Sequence, residues 1–303
     1  MPRHSPAWFD EQYDNRARIP GHPAILQHWS DASASARERH PDMIEKAYGR
    51  APRERLDVFP AMAPGSPVLV YLHGGYWRAL DKRSQSFVAP PFVDAGAMVV
   101  LPDYELCPAV TIEHIVLQAT QALAWVYRHA QAYGGDPHRI VVAGHSAGGH
   151  LATMMLACEW STVAPGLPAD LVKAALSVSG LYELEPLRYA PFLASDLGLT
   201  RASARRLSPA AMPAPRGSLV TIVGADESEE FLRQAASISK AWGPRVVVAA
   251  ESVPKRNHMD VLHEIADPAS RTHAWGLRLL EIADGDPVRA DVGCTVLGGN
   301  GRP

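Results

Sequence analysis

Cysteine is scarce in this chain of 303 residues. The three cysteines, Cys107, Cys158 and Cys294, lie far apart, and no C-x-x-C pair occurs. Neither a disulfide framework nor a zinc knuckle is therefore predicted. An odd number of widely spaced cysteines is typical of a reducing compartment, so we expect a cytoplasmic location.

Long hydrophobic runs and concentrated charge are also missing. No apolar run approaches the roughly 18 residues of a membrane span, and the polar stretch 1–10 lacks the apolar centre of a signal peptide. The formal net charge is −3, without a basic run or an acidic tail. We therefore expect no membrane partner and no nucleic-acid partner.

Motifs for metals and nucleotide cofactors are absent as well. His145 and His150 are too far apart in register to share one face of a helix. No H-E-x-x-H motif occurs, and no G-x-G-x-x-G or P-loop sequence follows a predicted strand. The sequence predicts neither a metal nor a cofactor.

Continuous apolar runs are abundant instead, and 47% of the residues are hydrophobic. Runs of this kind, with little alternation, fit strands that are buried on both faces of a parallel sheet. A short alternating strand at 55–60 precedes them. The runs lie at 66–72, 97–101, 140–143, 172–178, 219–223 and 246–250.

Segments with helical periodicity separate these strands. They lie at 111–131, 147–158, 231–242 and 270–282. The alternation predicts an α/β fold, with a mostly parallel central sheet and helices on both faces. We expect one domain over 51–283 with a helical insert at about 181–215 near the site, a helical and loop extension over 1–50, and a loose tail over 284–303.

The most informative motif is the pentapeptide G-x-S-x-G at 144–148, which has Ser146 at its centre. An apolar strand leads into it, and a helix-forming stretch follows. A serine on such a strand–turn–helix elbow is strained and exposed at the end of a sheet, where a substrate can reach it. Ser146 is therefore the candidate nucleophile, although an ordinary glycine-rich turn would look similar in isolation.

A serine nucleophile needs a base and a group that orients the base. In the α/β-hydrolase fold the chain order is Ser, acid, His. Asp226 and Glu227 follow one late strand, and His258 follows the last one. His258 is the candidate base. Counting three residues past Gly224 favours Glu227 as the acid, but Asp226 stays open as the alternative.

The negative oxygen of a tetrahedral intermediate needs preorganised donors. The backbone N–H of Ala147 follows the nucleophile, and the turn His73-Gly-Gly-Tyr-Trp77 follows an earlier strand. The amides of Gly75, Tyr76 and Ala147 are the candidate oxyanion hole. The Tyr76 and Trp77 side chains are candidates to bind an aromatic part of the substrate. The alternative for Trp77 is that it fills the core beneath the turn.

Several of these segments together resemble the α/β-hydrolase-type arylformamidases (kynurenine formamidases). The matching segments are Tyr-Asp-Asn-Arg at 13–16, His-Gly-Gly-Tyr-Trp at 73–77, Tyr-Glu-Leu-Cys-Pro at 104–108, Gly-His-Ser-Ala-Gly at 144–148, the loop 227–231 that ends in Glu-Phe, and Asn-His at 257–258. The resemblance covers about residues 10 to 283. It implies Ser146 as nucleophile, His258 as base and, four residues before Phe231, Glu227 as acid.

The resemblance also implies a substrate. N-formylkynurenine or another small aryl formamide is expected to be cleaved through an acyl-enzyme. The alternative within the same chemistry is a general short-chain carboxylesterase or amidase. A non-catalytic binding protein with this fold is less favoured, because a serine, an acid and a histidine are all present. The expected partner is thus a small ester or amide, with an aromatic one favoured, and a homodimer stays open.

Overall fold

A computed structural model describes residues 4–283. In this part of the chain the strands are β1 Ile44–Ala47, β2 Arg55–Phe59, β3 Ser66–Leu72, β4 Met98–Pro102, β5 Gly135–His145, β6 Val172–Val178, β7 Ser218–Gly224 and β8 Val247–Val253. They form one eight-stranded sheet in the order β1-β2-β4-β3-β5-β6-β7-β8. The pairings β1–β2 and β2–β4 are antiparallel and the others are parallel. The predicted α/β fold with a mostly parallel sheet is confirmed.

The helices of the described residues connect these strands. They are α1 Pro6–Tyr13, α2 Asn15–Arg18, α3 His22–Arg39, α4 Ala89–Asp94, α5 Ile112–His129, α6 Ala147–Leu156, α7 Trp160–Val163, α8 Pro191–Leu197, α9 Arg201–Arg206, α10 Glu229–Trp242, α11 His263–Ala266 and α12 Arg271–Ile282. Short 3-10 helices lie at Lys82–Val88, Ala130–Tyr133, Glu185–Tyr189, Pro209–Ala211 and Asp260–Leu262. Among residues 4–283, no helix has the length and apolar character needed to cross a bilayer.

Both faces of the sheet are buried, which explains why its strands are so apolar. Along β3, Val68 and Val70 point into a core shared with α5, α6 and α10. Their neighbours Leu69 and Tyr71 point into a second core shared with α3, α4 and α12. Successive side chains of a strand alternate between faces, so a strand covered on both sides needs apolar residues at nearly every position.

Strand β1 was not predicted, because it lies inside the segment 1–50, which was expected to hold helices and loops. It is a four-residue edge strand with the sequence Ile-Glu-Lys-Ala, and most of it is exposed. It pairs in antiparallel register with β2, from Ile44 opposite Val58 to Ala47 opposite Arg55. A short polar edge strand carries almost no hydrophobic pattern, so its partner decides its conformation.

The N-terminal segment and the insert meet on one side of the sheet. Tyr13 is buried in the core on this side of the sheet, whereas Trp29 is buried in the core on the opposite side. Helix α1 packs against α8 of the insert and against α10, and the Asp10 carboxylate accepts a hydrogen bond of 3.1 Å from the Phe192 amide. The domain boundaries stay predictions, and the expected loose tail over 284–303 lies outside the described residues.

Candidate active site

Ser146 lies on a sharp turn between β5 and α6. Its φ of 58° and ψ of −118° are unusual for a residue with a side chain. The flanking glycines allow this turn to pack: a Cβ on Gly144 would lie 2.3 Å from the carbonyl oxygen of Gly148, and a Cβ on Gly148 would lie 2.0 Å from that of Leu72. The glycines of the pentapeptide are therefore required by close backbone contacts.

The structure brings Ser146, His258 and Glu227 into one chain of hydrogen bonds. Ser146 Oγ lies 2.9 Å from His258 Nε2, and His258 Nδ1 lies 2.6 Å from Glu227 Oε2. Because a carboxylate only accepts hydrogen bonds, Nδ1 carries a proton and Nε2 faces the serine hydroxyl as an acceptor. All three residues are buried, with exposures of 3%, 5% and 7%, so Ser146 is less exposed than the sequence predicted.

Glu227, rather than the adjacent Asp226, contacts His258. Asp226 is exposed, whereas Glu227 Oε1 also accepts a 2.7 Å hydrogen bond from the Gly224 amide. Helix α10 begins immediately afterwards and brings the Phe231 ring to 4.2 Å from the His258 ring. Adjacent residues on a loop diverge, so only one of the two carboxylates can point inwards.

His145, the second residue of the pentapeptide, holds the loop of His258. Its Nε2–H donates a 2.7 Å hydrogen bond to the backbone carbonyl of His258. Burial keeps the pKa of His145 well below its usual value, so the ring is neutral at physiological pH. Sequence reasoning treated His145 only as a metal candidate, and its place beside Ser146 was the signal that could have revealed this contact.

The turn after β3 has a strained backbone. Gly75 has φ of 107°, and Tyr76 and Trp77 have φ of 51° and 55°, which is a rare region for aromatic residues. A Cβ on Gly75 would lie 2.2 Å from the Ala79 carbonyl oxygen. Within residues 4–283, the amides of Gly75 and Tyr76 donate to no backbone or side-chain acceptor. The turn therefore has two backbone donors without a protein acceptor among the described residues.

His73 and Tyr104 support this turn from below. Their rings stack with 4.0 Å between centroids, and the Tyr104 hydroxyl donates a 2.6 Å hydrogen bond to the His73 carbonyl. His73 Nε2 also lies 3.1 Å from Asp103 Oδ1. These contacts hold the His73 side chain beneath the turn, where its Nε2 faces Asp103.

The Trp77 side chain does not line a substrate surface, so the hypothesis that it binds the substrate is wrong. The ring is fully buried and packs edge-on against His150, with 5.0 Å between ring centroids. With no exposed atoms, it cannot touch a ligand without leaving the core. Trp77 fills the space beneath the turn, which is the alternative that the sequence left open.

Tyr76, in contrast, is half-buried at the edge of the site. Its hydroxyl donates a 2.7 Å hydrogen bond to the Tyr13 carbonyl, and its ring packs edge-on against Phe192, with 5.9 Å between centroids. The N-terminal segment and the insert therefore both support the turn. Sequence reasoning could not find these contacts, because Tyr13 and Phe192 are distant from Tyr76 in the chain.

A metal centre finds no support in the described residues. Over 4–283 no three His, Cys, Asp or Glu side chains are arranged so that they could hold a metal ion. The polar groups around Ser146 are instead paired as proton donors and acceptors, which suits acid–base and nucleophilic chemistry.

Several known proteins resemble this chain in sequence. Two family models match the chain, one described as BD-FAE over residues 56–163 and one as the carboxylesterase family over residues 116–251. Kynurenine formamidases of Danio rerio and Salmo salar are each 28% identical to it. These alignments cover 88% and 87% of this chain, and 90% and 89% of those proteins.

A solved structure from Silicibacter sp., described as that of a candidate thioesterase, is 30% identical. It superposes with a TM-score of 0.79, covering 88% of this chain and 97% of that one. The chain therefore belongs to the α/β-hydrolase family and is a hydrolase. Within that family it resembles kynurenine formamidases and esterases, and the resemblance expected from the sequence is confirmed.

Proposed function

We propose that the protein is a serine hydrolase that works through an acyl-enzyme. The observation that carries this proposal is the continuous contact from Ser146 Oγ through the His258 ring to the Glu227 carboxylate. His258 Nε2 takes the hydroxyl proton as Ser146 Oγ attacks the substrate carbonyl carbon. The buried carboxylate of Glu227 stabilises the imidazolium that forms and keeps the ring in the required tautomer.

The same groups then release the leaving group and hydrolyse the acyl-enzyme. The imidazolium of His258 gives its proton to the leaving nitrogen or oxygen, and the bond from the carbonyl carbon to that atom breaks. Water then enters, and His258 removes one of its protons as the water oxygen bonds to the acyl carbon. The tetrahedral species collapses, the bond from that carbon to Ser146 Oγ breaks, and Oγ regains a proton from His258. The free acid leaves, and the serine is restored.

The developing oxyanion needs donors on the other side of the carbonyl group. We assign this role to the backbone amides of Gly75, Tyr76 and Ala147. Support comes from the unpaired amides of the strained turn and from the position of Ala147 at the start of α6. Loss of one such donor typically lowers the rate by about 10²- to 10³-fold.

For the substrate we propose a small aryl formamide, with N-formylkynurenine as the leading example. The likeness to kynurenine formamidases over most of the chain supports this choice. The low exposure of Ser146 and His258 suits a small acyl group. Tyr76 and Phe192, both partly exposed, pack against each other beside the strained turn, which suits a flat leaving group.

The second candidate is a general short-chain carboxylesterase or amidase. The match to the carboxylesterase family over residues 116–251 favours it. The same serine, base and oxyanion donors would serve either substrate class, so the two candidates differ in the acyl group and the leaving group that the site accepts. The homodimer and the cytoplasmic location stay predictions.

One experiment separates mechanism from substrate. The purified protein is assayed on N-formylkynurenine and on p-nitrophenyl acetate and butyrate, and is labelled with a fluorophosphonate probe. We expect labelling, and the higher kcat/KM on the formamide. Ser146→Ala should abolish both labelling and turnover while the unfolding temperature stays unchanged.

Each part of the proposal can fail separately. Good ester hydrolysis without detectable formamide hydrolysis would remove the substrate assignment and leave the mechanism intact. Full activity in Ser146→Ala would remove the mechanism itself.

A further inference from the structure

Ser179 lies beside the acid of the site and has no role in the mechanism described so far. It is the first residue after β6, and only 2% of it is exposed. Its φ is 50°, and its amide donates a 2.7 Å hydrogen bond to the Ile222 carbonyl on β7. The backbone of Ser179 is thus held in a left-handed conformation at the carboxyl end of the sheet.

The hydroxyl of Ser179 points at Glu227. Ser179 Oγ donates a 2.5 Å hydrogen bond to Glu227 Oε1, and the Gly224 amide donates to the same oxygen at 2.7 Å. The other oxygen, Oε2, faces His258 Nδ1. One carboxylate oxygen is therefore anchored by two donors, and the second is left for the histidine.

The two hydrogen bonds to Oε1 fix the orientation of the Glu227 carboxylate. A glutamate side chain has one more rotatable bond than an aspartate, so its carboxylate plane is harder to fix. Two donors on Oε1 set that plane and direct Oε2 at the imidazole. They also compensate for the burial of the negative charge, because hydrogen bonds to an ionised group are the strong ones.

The backbone conformation at position 179 favours glycine, so the presence of a serine there needs another explanation. Glycine adopts positive φ more easily than any other residue, and serine is disfavoured there. A glycine would therefore suit the backbone at 179 better, but it could not contact Glu227. What the serine adds at this position is its hydrogen bond to the acid.

We propose that Ser179 is a positioning residue of the hydrolytic reaction, which orients Glu227 towards His258. The proposal rests on the proposed function, since it assumes that Glu227 is the acid. Without the hydroxyl, the carboxylate loses one of its anchors and no longer holds the imidazole in one orientation. The acylation and deacylation steps should both slow, while substrate binding should not change.

The test compares Ser179→Ala and Ser179→Gly with the wild type on p-nitrophenyl acetate. Loss of a hydrogen bond to a charged group should lower kcat by about 10- to 100-fold, with KM unchanged, in both variants. At this φ, glycine relieves strain that alanine retains, so Ser179→Gly should unfold at the same temperature as Ser179→Ala or at a higher one. A merely structural role predicts instead that the glycine variant regains kcat together with stability.

A matched control is available on the neighbouring strand. Thr221 in β7 has a buried hydroxyl without a hydrogen-bond partner in the described residues, and Thr221→Val removes it without changing the shape of the side chain. We expect this variant to keep kcat within about twofold of the wild type. A loss as large as that of Ser179→Ala would show that any buried hydroxyl here matters, and would overturn the proposal.

A double-mutant cycle completes the test. In a Glu227→Gln background, Ser179→Ala should lower kcat by about twofold or less, because the group that Ser179 positions is already disabled. Multiplication of the two effects would contradict the proposal. If the wild type neither hydrolyses the ester nor reacts with a fluorophosphonate, the proposed function fails. If the wild type is active and both Ser179 variants equal it, only the role of Ser179 fails.

Discussion

The two halves of the site, on either side of Ser146, are held by different kinds of interaction. On one side, the buried Glu227 carboxylate forms short hydrogen bonds with Ser179, with the Gly224 amide and with His258. On the other, the turn with Tyr76 and Trp77 keeps a strained backbone, and aromatic packing supports it. After their proposed roles, we call these the acid–base half and the oxyanion half.

This difference teaches how separate parts of a chain share the work of one site. The acid–base half comes from loops at the ends of adjacent strands β7 and β8, so the sheet itself places its members. The oxyanion half depends in addition on Tyr13 from α1 and Phe192 from α8. Changes in the first half should therefore act mainly through charge, and changes in the second mainly through packing and geometry.

The largest expected effect lies in the acid–base half. Glu227→Gln keeps the size of the side chain but removes the charge that stabilises the imidazolium and selects its tautomer. We expect kcat on p-nitrophenyl acetate to fall by about 10³- to 10⁴-fold. The matched control is Asp226→Asn, which should stay within about twofold because Asp226 is exposed. The reverse pattern would assign the acid to Asp226.

The next effect tests stability beneath the oxyanion half. His150 packs against Trp77, and its Nε2–H donates a 2.7 Å hydrogen bond to the Leu207 carbonyl. Burial lowers the pKa of His150 from 6.5 to about 4. Between these values the unfolded chain binds more protons than the folded one, so the unfolding free energy decreases as the pH falls. The loss from this histidine should reach about 3 kcal/mol below pH 4.

Denaturant unfolding from pH 7 to pH 4 measures this loss. His150→Gln should show a flatter pH dependence than the wild type, because the titrating group is gone. His138→Gln, at an exposed histidine, should follow the wild-type curve. A His150→Gln curve parallel to that of the wild type would mean that His150 does not carry the acid sensitivity.

The smallest expected effect on kcat comes from the hydrogen bond of the Tyr76 hydroxyl, which supports the oxyanion half without being one of its amides. Tyr76→Phe keeps the ring against Phe192 but removes the hydrogen bond to the Tyr13 carbonyl. A neutral hydrogen bond contributes about 0.5–1.5 kcal/mol, so we expect kcat to fall by about two- to tenfold. Tyr127→Phe on α5 is the control and should not change kcat. A loss of 10²-fold or more would show that the Tyr76 hydroxyl acts on the substrate directly.

Most of the fold could be predicted because its strands are buried on both faces. Strands such as β3 and β6 are apolar at nearly every position, which is a strong local pattern. The edge strand β1 was missed, since its polar residues form a strand only beside β2. The same limit explains the uncertainty about Trp77, whose neighbour His150 is remote in the chain.

The candidate nucleophile and base could be predicted for a related reason. A G-x-S-x-G turn between a strand and a helix, followed by a histidine after the last strand, is a local pattern with a known order. Glu227 and Asp226 could not be separated by their residue types alone, because both are carboxylates on one loop. Only the direction of each side chain distinguishes them, and local sequence does not specify that direction.

By itself, the sequence determined the α/β fold, the elbow of Ser146 and the loops that carry the candidate acid and the candidate base. These features depend on hydrophobic period and on glycines at fixed offsets, which are properties of neighbouring residues. Only the tertiary structure decided that Glu227 faces His258, that His145 and Ser179 hold this pair, and that Trp77 belongs to the core. Those contacts join residues that are brought together by the packing of the sheet, and their energies depend on distances that no local pattern encodes.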